Sequence, residues 1–249
     1  MAYRAYFALQ DQNLTHPVTG QPTQAIFGFF RMFFKLLRDY RPERTAVVWD
    51  PPGGSFRSEV FKEYKANRKP MPEDLRPQIE EIKELIKKSG FPLLMVKGFE
   101  ADDVMGTLST RFGKKMRVLM ITGDKDCYQL LSKKVIMLRG SRGVTEFQEI
   151  DSSWVEEEIG VKVKQITDYM GLVGDTSDNI PGAKGVGPKT AAKLIQEYGT
   201  LEKIYKNIEK VGGKSLKQKL EDSKESVFLS RDLATIRTDV AEAEALEAD

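Results

Sequence analysis

Residues 117–126 read Arg117-Val118-Leu119-Met120-Ile121-Thr122-Gly123-Asp124-Lys125-Asp126: an apolar run, a break at Gly123, then two acids. A short continuous apolar run bounded by a glycine reads as a strand of a buried parallel sheet. The pattern recurs upstream. Thr45-Ala46-Val47-Val48-Trp49 runs into Asp50, and Leu93-Leu94-Met95-Val96 is followed by Glu100, Asp102 and Asp103. A further run at Val135–Leu138 predicts another strand.

Helical periodicity fills the intervals. Ile26, Phe29, Phe30, Phe33, Phe34 and Leu37 recur at helical spacing and predict a helix over 24–40 whose aromatics are core. Ile79, Ile82, Leu85 and Ile86 predict a second helix over 77–89, with Gly90 as its stop. Residues 101–112 read as a third, and Cys127–Leu131 as a short one. Strands alternating with helices indicate an α/β fold with a doubly wound, mainly parallel sheet. From Ser152 onward the pattern is entirely helical, so the seam falls near residue 150: an α/β core over 1–150 and a helical part over 151–249.

A chain of 249 residues is long enough to bury a core without covalent staples. Its one cysteine, Cys127, excludes an internal disulfide and suits a reducing cytoplasm. The most apolar stretch, 25–37, is interrupted by Arg31 and Lys35 and is too short to span a bilayer. The net charge of +2 is uninformative, but its distribution is segregated. Residues 182–217 carry eight lysines against three glutamates, residues 55–69 five bases against two acids, and residues 239–249 five acids and no base. Segregation of this kind fits a phosphate-binding surface, or equally two ordinary solvated faces.

Ligands of open α/β sheets sit beyond the carboxyl ends of the strands, where Asp50, Glu100, Asp102, Asp103, Asp124 and Asp126 converge. Two carboxylates ~5 Å apart repel by roughly 3 kcal/mol at an effective dielectric of ~20, so such a cluster takes up protons or binds cations. An all-oxygen donor set favours Mg2+ or Mn2+ over zinc, and one histidine, His16, with one cysteine, Cys127, cannot build a typical zinc site. Two Mg2+ ions in an acidic cleft are a standard device for phosphodiester cleavage. One acid alone reads more simply as a helix cap, a role open to Asp102 or Asp103. An aspartyl-phosphate enzyme is disfavoured, because no Thr or Ser follows Asp124-Lys125-Asp126 in the required place.

Residues 182–190 read Gly182-Ala183-Lys184-Gly185-Val186-Gly187-Pro188-Lys189-Thr190. A nucleotide-binding P-loop is excluded by Pro188 before Lys189 and by the lack of a preceding strand. A helix–hairpin–helix over 175–198 fits better. Gly185 and Gly187 permit a tight turn near a phosphate, Pro188 starts a helix, and Lys184, Lys189 and Thr190 add donors at its positive end.

Taken together, the chain resembles the 5′ nuclease family of flap endonucleases and bacterial polymerase-associated 5′→3′ exonucleases. The resemblance rests on Tyr3-Arg4-Ala5-Tyr6, Ser55-Phe56-Arg57, Tyr64-Lys65-Ala66-Asn67-Arg68, Glu100-Ala101-Asp102-Asp103, Thr122-Gly123-Asp124-Lys125-Asp126, Gly174-Asp175-Thr176-Ser177-Asp178-Asn179 and the 182–194 segment. It implies a resolvase-like core with a helical arch around 55–75. It implies Asp50, Glu100, Asp102 and Asp103 as ligands of a first Mg2+, and Asp124, Asp126, Asp175 and Asp178 as ligands of a second, with Mn2+ as a substitute. Lys65, Arg68 and Arg4 resemble catalytic phosphate contacts. Arg57 resembles a DNA contact, Tyr64 a base-stacking group, and the 182–194 loop a duplex grip holding K+ in some relatives. The implied substrate is DNA with free 5′ ends or 5′ flaps, cut by a monomer that works with a polymerase domain in cis or in trans. The family pattern opens with a central strand ending in Asp-Gly before the Tyr-Arg pair, whereas Met1-Ala2 stand there in residues 1–249. The rival expectation is therefore a non-catalytic DNA-structure binder.

Overall fold

The computed structural model describes residues 1–141, 143 and 145–244; the last five residues of the acidic tail lie outside them. Helix α1 (Ala2–Ala8), not anticipated from the sequence, crosses helix α2 (Gln24–Tyr40) in close contact. Gly28 permits the approach, because a Cβ there would come within 2.8 Å of the Ala5 Cβ. The buried aromatics Phe29 and Phe33 of α2 pack with Ile79, Ile82 and Ile86 of α4 (Leu75–Lys88). Phe29 and Phe33 take the expected core role, Phe30 is half-buried, and Phe34, expected as core, is instead exposed because it lies on the outer flank of the helix.

The sheet is mainly parallel, as expected, but divided. Strands β1 (Val47–Val48) and β2 (Leu93–Leu94) form one parallel pair, with Val47 opposite Leu93. Strand β3 (Val118–Ile121) pairs in parallel with β4 (Val135–Gly140), and β4 pairs antiparallel with β5 (Phe147–Ile150). The fifth strand was not legible, since Phe147-Gln148-Glu149-Ile150 has only four residues and a mixed pattern. Helix α5 (Ala101–Phe112) packs against both β1 and β3 and so joins the halves. Between them lies a cleft of about 1890 Å3 whose walls include Val47–Asp50 on one side and Val118–Gly123 on the other. Packing voids in protein interiors are seldom much larger than a water molecule. The core divides at the same place. Val47 and Trp49 pack with the α1–α2–α4 cluster, Val48 with Val96 and Val104, and Val118 and Met120 with the large cluster of the helical part. The apolar side chains of β1 and β2, and most of β3, are only half-buried, where a sheet covered on both faces would bury them.

The expected helical arch takes a different form. Helix α3 (Phe56–Val60) is one short element, and turns follow through 62–67. The segment has no apolar periodicity to bury a helical face, and Pro70 and Pro72 end it. From Ser152 the chain is helical, as expected: α6 (Ser152–Glu158), α7 (Ile166–Val173), α8 (Pro188–Tyr198), α9 (Leu201–Lys206), α10 (Lys214–Asp222) and α11 (Lys224–Ala234). The chain then returns to the α/β core. Thr107 of α5 accepts the Val240 amide at 3.1 Å, and α12 (Ala241–Glu244) packs against α5.

Candidate active site

Three strand ends bring acids to the mouth of the cleft. Asp50, after β1, accepts the Ala101 amide at 2.8 Å and so ties that strand to the start of α5. Asp102 follows in the first turn of α5. Asp124, after β3, caps the short helix at 125–130 by accepting the Asp126 amide at 3.0 Å. These acids feel one another. Burial, with Asp124 and Asp50 nearby, raises the Asp102 pKa to about 7. Burial and the charges of Asp124 and Asp102 push Asp126 up to about 9, and burial raises Asp124 as well. The Asp126 Oδ1 is buried with no hydrogen-bond partner. The thiol of Cys127 lies 3.7 Å from Asp102 Oδ1, and burial holds its pKa well above the usual thiol value. It is a neutral neighbour of the cluster that sequence spacing gave no reason to place there.

A second group of acids is already occupied by cations. Lys65 Nζ lies 2.7 Å from Glu100 and 3.6 Å from Asp178, and Arg68 donates to Asp178 at 2.5 Å. The turn carrying these bases is fastened to the 174–180 loop. The Lys65 amide donates to the Asp178 carbonyl at 2.9 Å, Asn67 donates to the Thr176 carbonyl, and Asn179 donates to the Glu63 carbonyl. Lys65 holds the left-handed backbone at φ 59° that this fastening requires. Asn67 and Asn179 thus build the site. Their only sequence signal was membership of the motifs around Lys65 and Asp178. Asp175 accepts the Ser177 amide and hydroxyl, which shapes the same loop.

Three expected site residues are placed otherwise. Asp103 is fully buried and both its oxygens are engaged: Arg57 donates to them at 2.7 and 2.8 Å, and the Glu100 and Arg237 amides complete the set. With Glu100 as N-cap and Asp103 three residues on, this is a capping box, and Asp103 has no face left for a metal. Arg57 is equally buried, donating also to the carbonyls of Leu233 and Thr235, so it cannot reach DNA. Burial disfavours its charge, but Asp103 and Glu100 outweigh that and hold its pKa above the ordinary value. Tyr64 is not free to stack on a base. It is buried with Ile180 and Leu233, and its hydroxyl donates to Glu100 at 3.0 Å and lies 3.3 Å from Asp178. Burial and those two carboxylates raise its pKa, so it stays a neutral donor.

Arg4 reaches the far strands of the sheet, donating to the Gly143 carbonyl at 3.0 Å with its guanidinium against Gly140. Among the described residues it makes no hydrogen bond to a cluster acid. In the 182–190 loop, Ala183 and Val186 are buried, which turns Lys184, Gly185, Gly187 and Lys189 outward, with Thr190 half-buried. Gly185 has φ +76°, whereas Gly187 is extended and caps α8, with Pro188 in the first turn as expected. The second glycine is therefore a helix cap rather than part of the tight turn.

The oxygen donors, the raised carboxylic acids and the unpartnered Asp126 Oδ1 suit a hard divalent cation. Among the described residues, no three acidic, histidine or cysteine side chains converge tightly enough to hold an ion as they stand. No described helix is long and apolar enough to cross a membrane.

Residues 1–160 match the family described as 5′-3′ exonuclease, N-terminal resolvase-like domain, and residues 161–248 match 5′-3′ exonuclease, C-terminal SAM fold. Among curated proteins, the chain is 44% identical over 243 residues to DNA polymerase I of Deinococcus radiodurans and 41% identical over 243 residues to that of Caldicellulosiruptor bescii. Each alignment covers 96% of this chain but only 24% and 28% of those proteins, so the chain spans about a quarter of their length. Among solved structures it is similar to zinc-bound T5 5′-exonuclease (25% identity, TM-score 0.77, 97% of this chain and 90% of that one). The catalytic core of Rad2 in complex with DNA shares the fold at 22% identity and TM-score 0.57, over 88% and 74% of the two chains. With a resolvase-like unit bearing strand-end acids and a helical unit behind it, the chain belongs to the 5′-3′ exonuclease family.

Proposed function

We propose that this chain is a divalent-metal-dependent 5′→3′ exonuclease and 5′-flap endonuclease acting on DNA. The observation that carries the reading is the group Asp102, Asp124 and Asp126. Their pKa values are raised by burial and by one another, and one buried oxygen is unpartnered. Asp50, Asp102, Asp124, Asp126 and Asp175 are the acids that would hold Mg2+ or Mn2+. Glu100 and Asp178 would join them once Lys65 and Arg68 move off. The bound cations would supply electrostatic stabilisation of a phosphodiester undergoing cleavage.

The remaining work falls to the protein. Lys65 and Arg68 sit on the acids beside the cluster, within reach of a phosphate brought to it, where they would offset developing negative charge. Arg4, at the neighbouring strand ends, would contact a flanking phosphate. Residues 151–249 would grip the duplex through the exposed 184–190 loop, where backbone amides and lysines meet phosphates without reading bases. A K+ ion there, and a polymerase acting on the same DNA in cis or in trans, are suggested by the family and by the polymerase relatives. T5 5′-exonuclease carries zinc in its solved structure and Rad2 is solved with DNA, which supports metal and DNA as ligands here.

Among the described residues no three ligand side chains converge tightly enough to hold an ion, which favours one alternative, a DNA-structure binder without cleavage. Incubation of the chain with a 5′-flap duplex, with Mg2+ or with EDTA, separates the two. Mg2+-dependent release of the flap supports the nuclease. Retained binding with no release at any Mg2+ concentration supports the binder.

A further inference from the structure

The main chain of Gly182 is held at both its polar atoms by serines of α11. Ser230, fully buried, donates its proton to the Ser226 carbonyl of its own helix at 2.6 Å and accepts the Gly182 amide at 2.9 Å. The Ser226 hydroxyl lies 2.9 Å from the Gly182 carbonyl and 2.9 Å from the Ser223 carbonyl, and shares its proton between them. Ser223, the N-cap residue of α11, accepts the Lys184 amide at 3.3 Å. The spacing i, i+3, i+7 puts all three on one face of the helix. Gly182 also touches the acid-bearing turn. At φ +63° it has no room for a side chain, since a Cβ would stand 2.5 Å from the Gly174 nitrogen. Gly174 opens the turn that carries Asp175 and Asp178, which the Asp175 and Ile180 main chains close at 2.7 and 2.9 Å. Further along the same helix, the Leu233 carbonyl receives Arg57, which holds Asp103.

We propose that Ser223, Ser226 and Ser230 are positioning residues. They seat the 182–187 loop in the shape that receives phosphates, and through the Gly174–Gly182 contact a duplex held by that loop stiffens the turn bearing Asp175 and Asp178. The inference rests on the duplex-gripping role proposed for residues 151–249, and not on cleavage. The serines stand behind the loop, with Ser223 and Ser230 buried, while Lys184 and Gly185 face outward. They therefore act on a ligand only through the main chain they hold. Removing the Ser230 hydroxyl leaves the buried Gly182 amide without its acceptor, which favours release of the loop into water. A released loop has to be ordered again whenever it meets a phosphate, and that ordering lowers affinity. The contact at Gly182 carries the effect onward, because atoms packed this closely cannot shift independently. A ligand that orders one loop thus narrows the motion of the other.

The test uses the whole chain and a 5′-flap duplex in EDTA, so no cleavage is needed. In the unaltered chain the duplex should slow hydrogen exchange at the Asp175 and Ile180 amides as well as at Gly182 and Lys184. Ser230→Ala should weaken duplex binding roughly tenfold, the worth of one main-chain hydrogen bond, and speed exchange at Gly182 in the free chain. Ser226→Ala, at a half-buried position, is the milder variant if the first folds poorly, and Ser226→Thr, which keeps the hydroxyl, should restore the affinity. Val227→Ala thins the core packing of the same helix without touching the loop's hydrogen bonds. It should lower the Tm and leave duplex affinity unchanged. Unaltered affinity in both serine-to-alanine variants, an equal loss in Val227→Ala, or duplex protection that stops short of Asp175 and Ile180 overturns the proposal. Absence of duplex binding by the unaltered chain sinks this inference together with the gripping role. Binding without Mg2+-dependent cleavage sinks the nuclease reading alone.

Discussion

The Arg57 guanidinium meets the Asp103 carboxylate edge to edge, with both contacts within 2.8 Å and Asp103 wholly shielded from solvent. A pair of this kind is strongly destabilised when one partner is removed, because the other charge is stranded, at a typical cost of about 3–5 kcal/mol. Asp103→Asn and Arg57→Ala should both lower the unfolding free energy by that order, seen as a lower urea midpoint at unchanged slope. Neither should change the Mn2+ concentration dependence of melting, once compared at equal distance below Tm. A selective loss of Mn2+ response in Asp103→Asn, with normal stability, would return Asp103 to the metal set.

The acid cluster makes stability fall with pH when no cation is present. Asp102 and Asp126 have folded-state pKa values of about 7 and about 9 against 3.8 unfolded. Between those limits the unfolded chain has released protons that the folded chain still binds, so each unit of pH costs stability. The penalty begins near pH 4, and is complete above about 7 for Asp102 and about 9 for Asp126. Urea midpoints in EDTA at pH 5, 7 and 9 should decline in that order. Saturating Mg2+ should flatten the decline. A pH-independent midpoint in EDTA would show that the cluster is solvated and uncoupled.

Cation binding itself should be visible as stabilisation. A ligand at 100 times its dissociation constant adds about 2.7 kcal/mol, worth roughly 5–10 °C for a chain of this size. Melting curves in Mn2+ and in EDTA measure the difference, and coincident midpoints count against a working metal site.

Lys65→Ala and Lys189→Ala should separate chemistry from grip. The first removes the base bound to Glu100 and should reduce single-turnover cleavage far more than duplex affinity. The second removes an exposed cation on the 184–190 loop. It should weaken binding evenly across sequences and reduce the salt slope by about one unit. Identical behaviour of the two variants would refute the division of labour.

Periodicity made the helices legible where a face had to be buried. The expected 101–112 helix agrees at both ends with α5, and the 24–40 helix with α2. It failed where burial is provided by few residues, as in α1 with Ala2, Ala5 and Tyr6 and in four-residue β5. At the site, sequence identified the acid-bearing strand ends but could not sort their partners. Asp102 and Asp103 are adjacent, yet helical rotation turns one to the cluster and the other to Arg57, a residue 46 positions away. The base-stacking role that the family resemblance implied for Tyr64 is not seen either, because Ile180 and Leu233, both distant in sequence, enclose it.

Arg57 also donates to the Leu233 carbonyl, 176 residues further along the chain. During synthesis at ~5–20 residues per second, that acceptor emerges roughly 10–35 s after Arg57 itself. Throughout that interval a side chain destined for the interior lacks one of its partners, so the nascent α/β unit cannot complete its own packing. The ribosome-bound chain should therefore remain open to proteases and chaperones until its last helices are made, and the final native state should be reached as one late event.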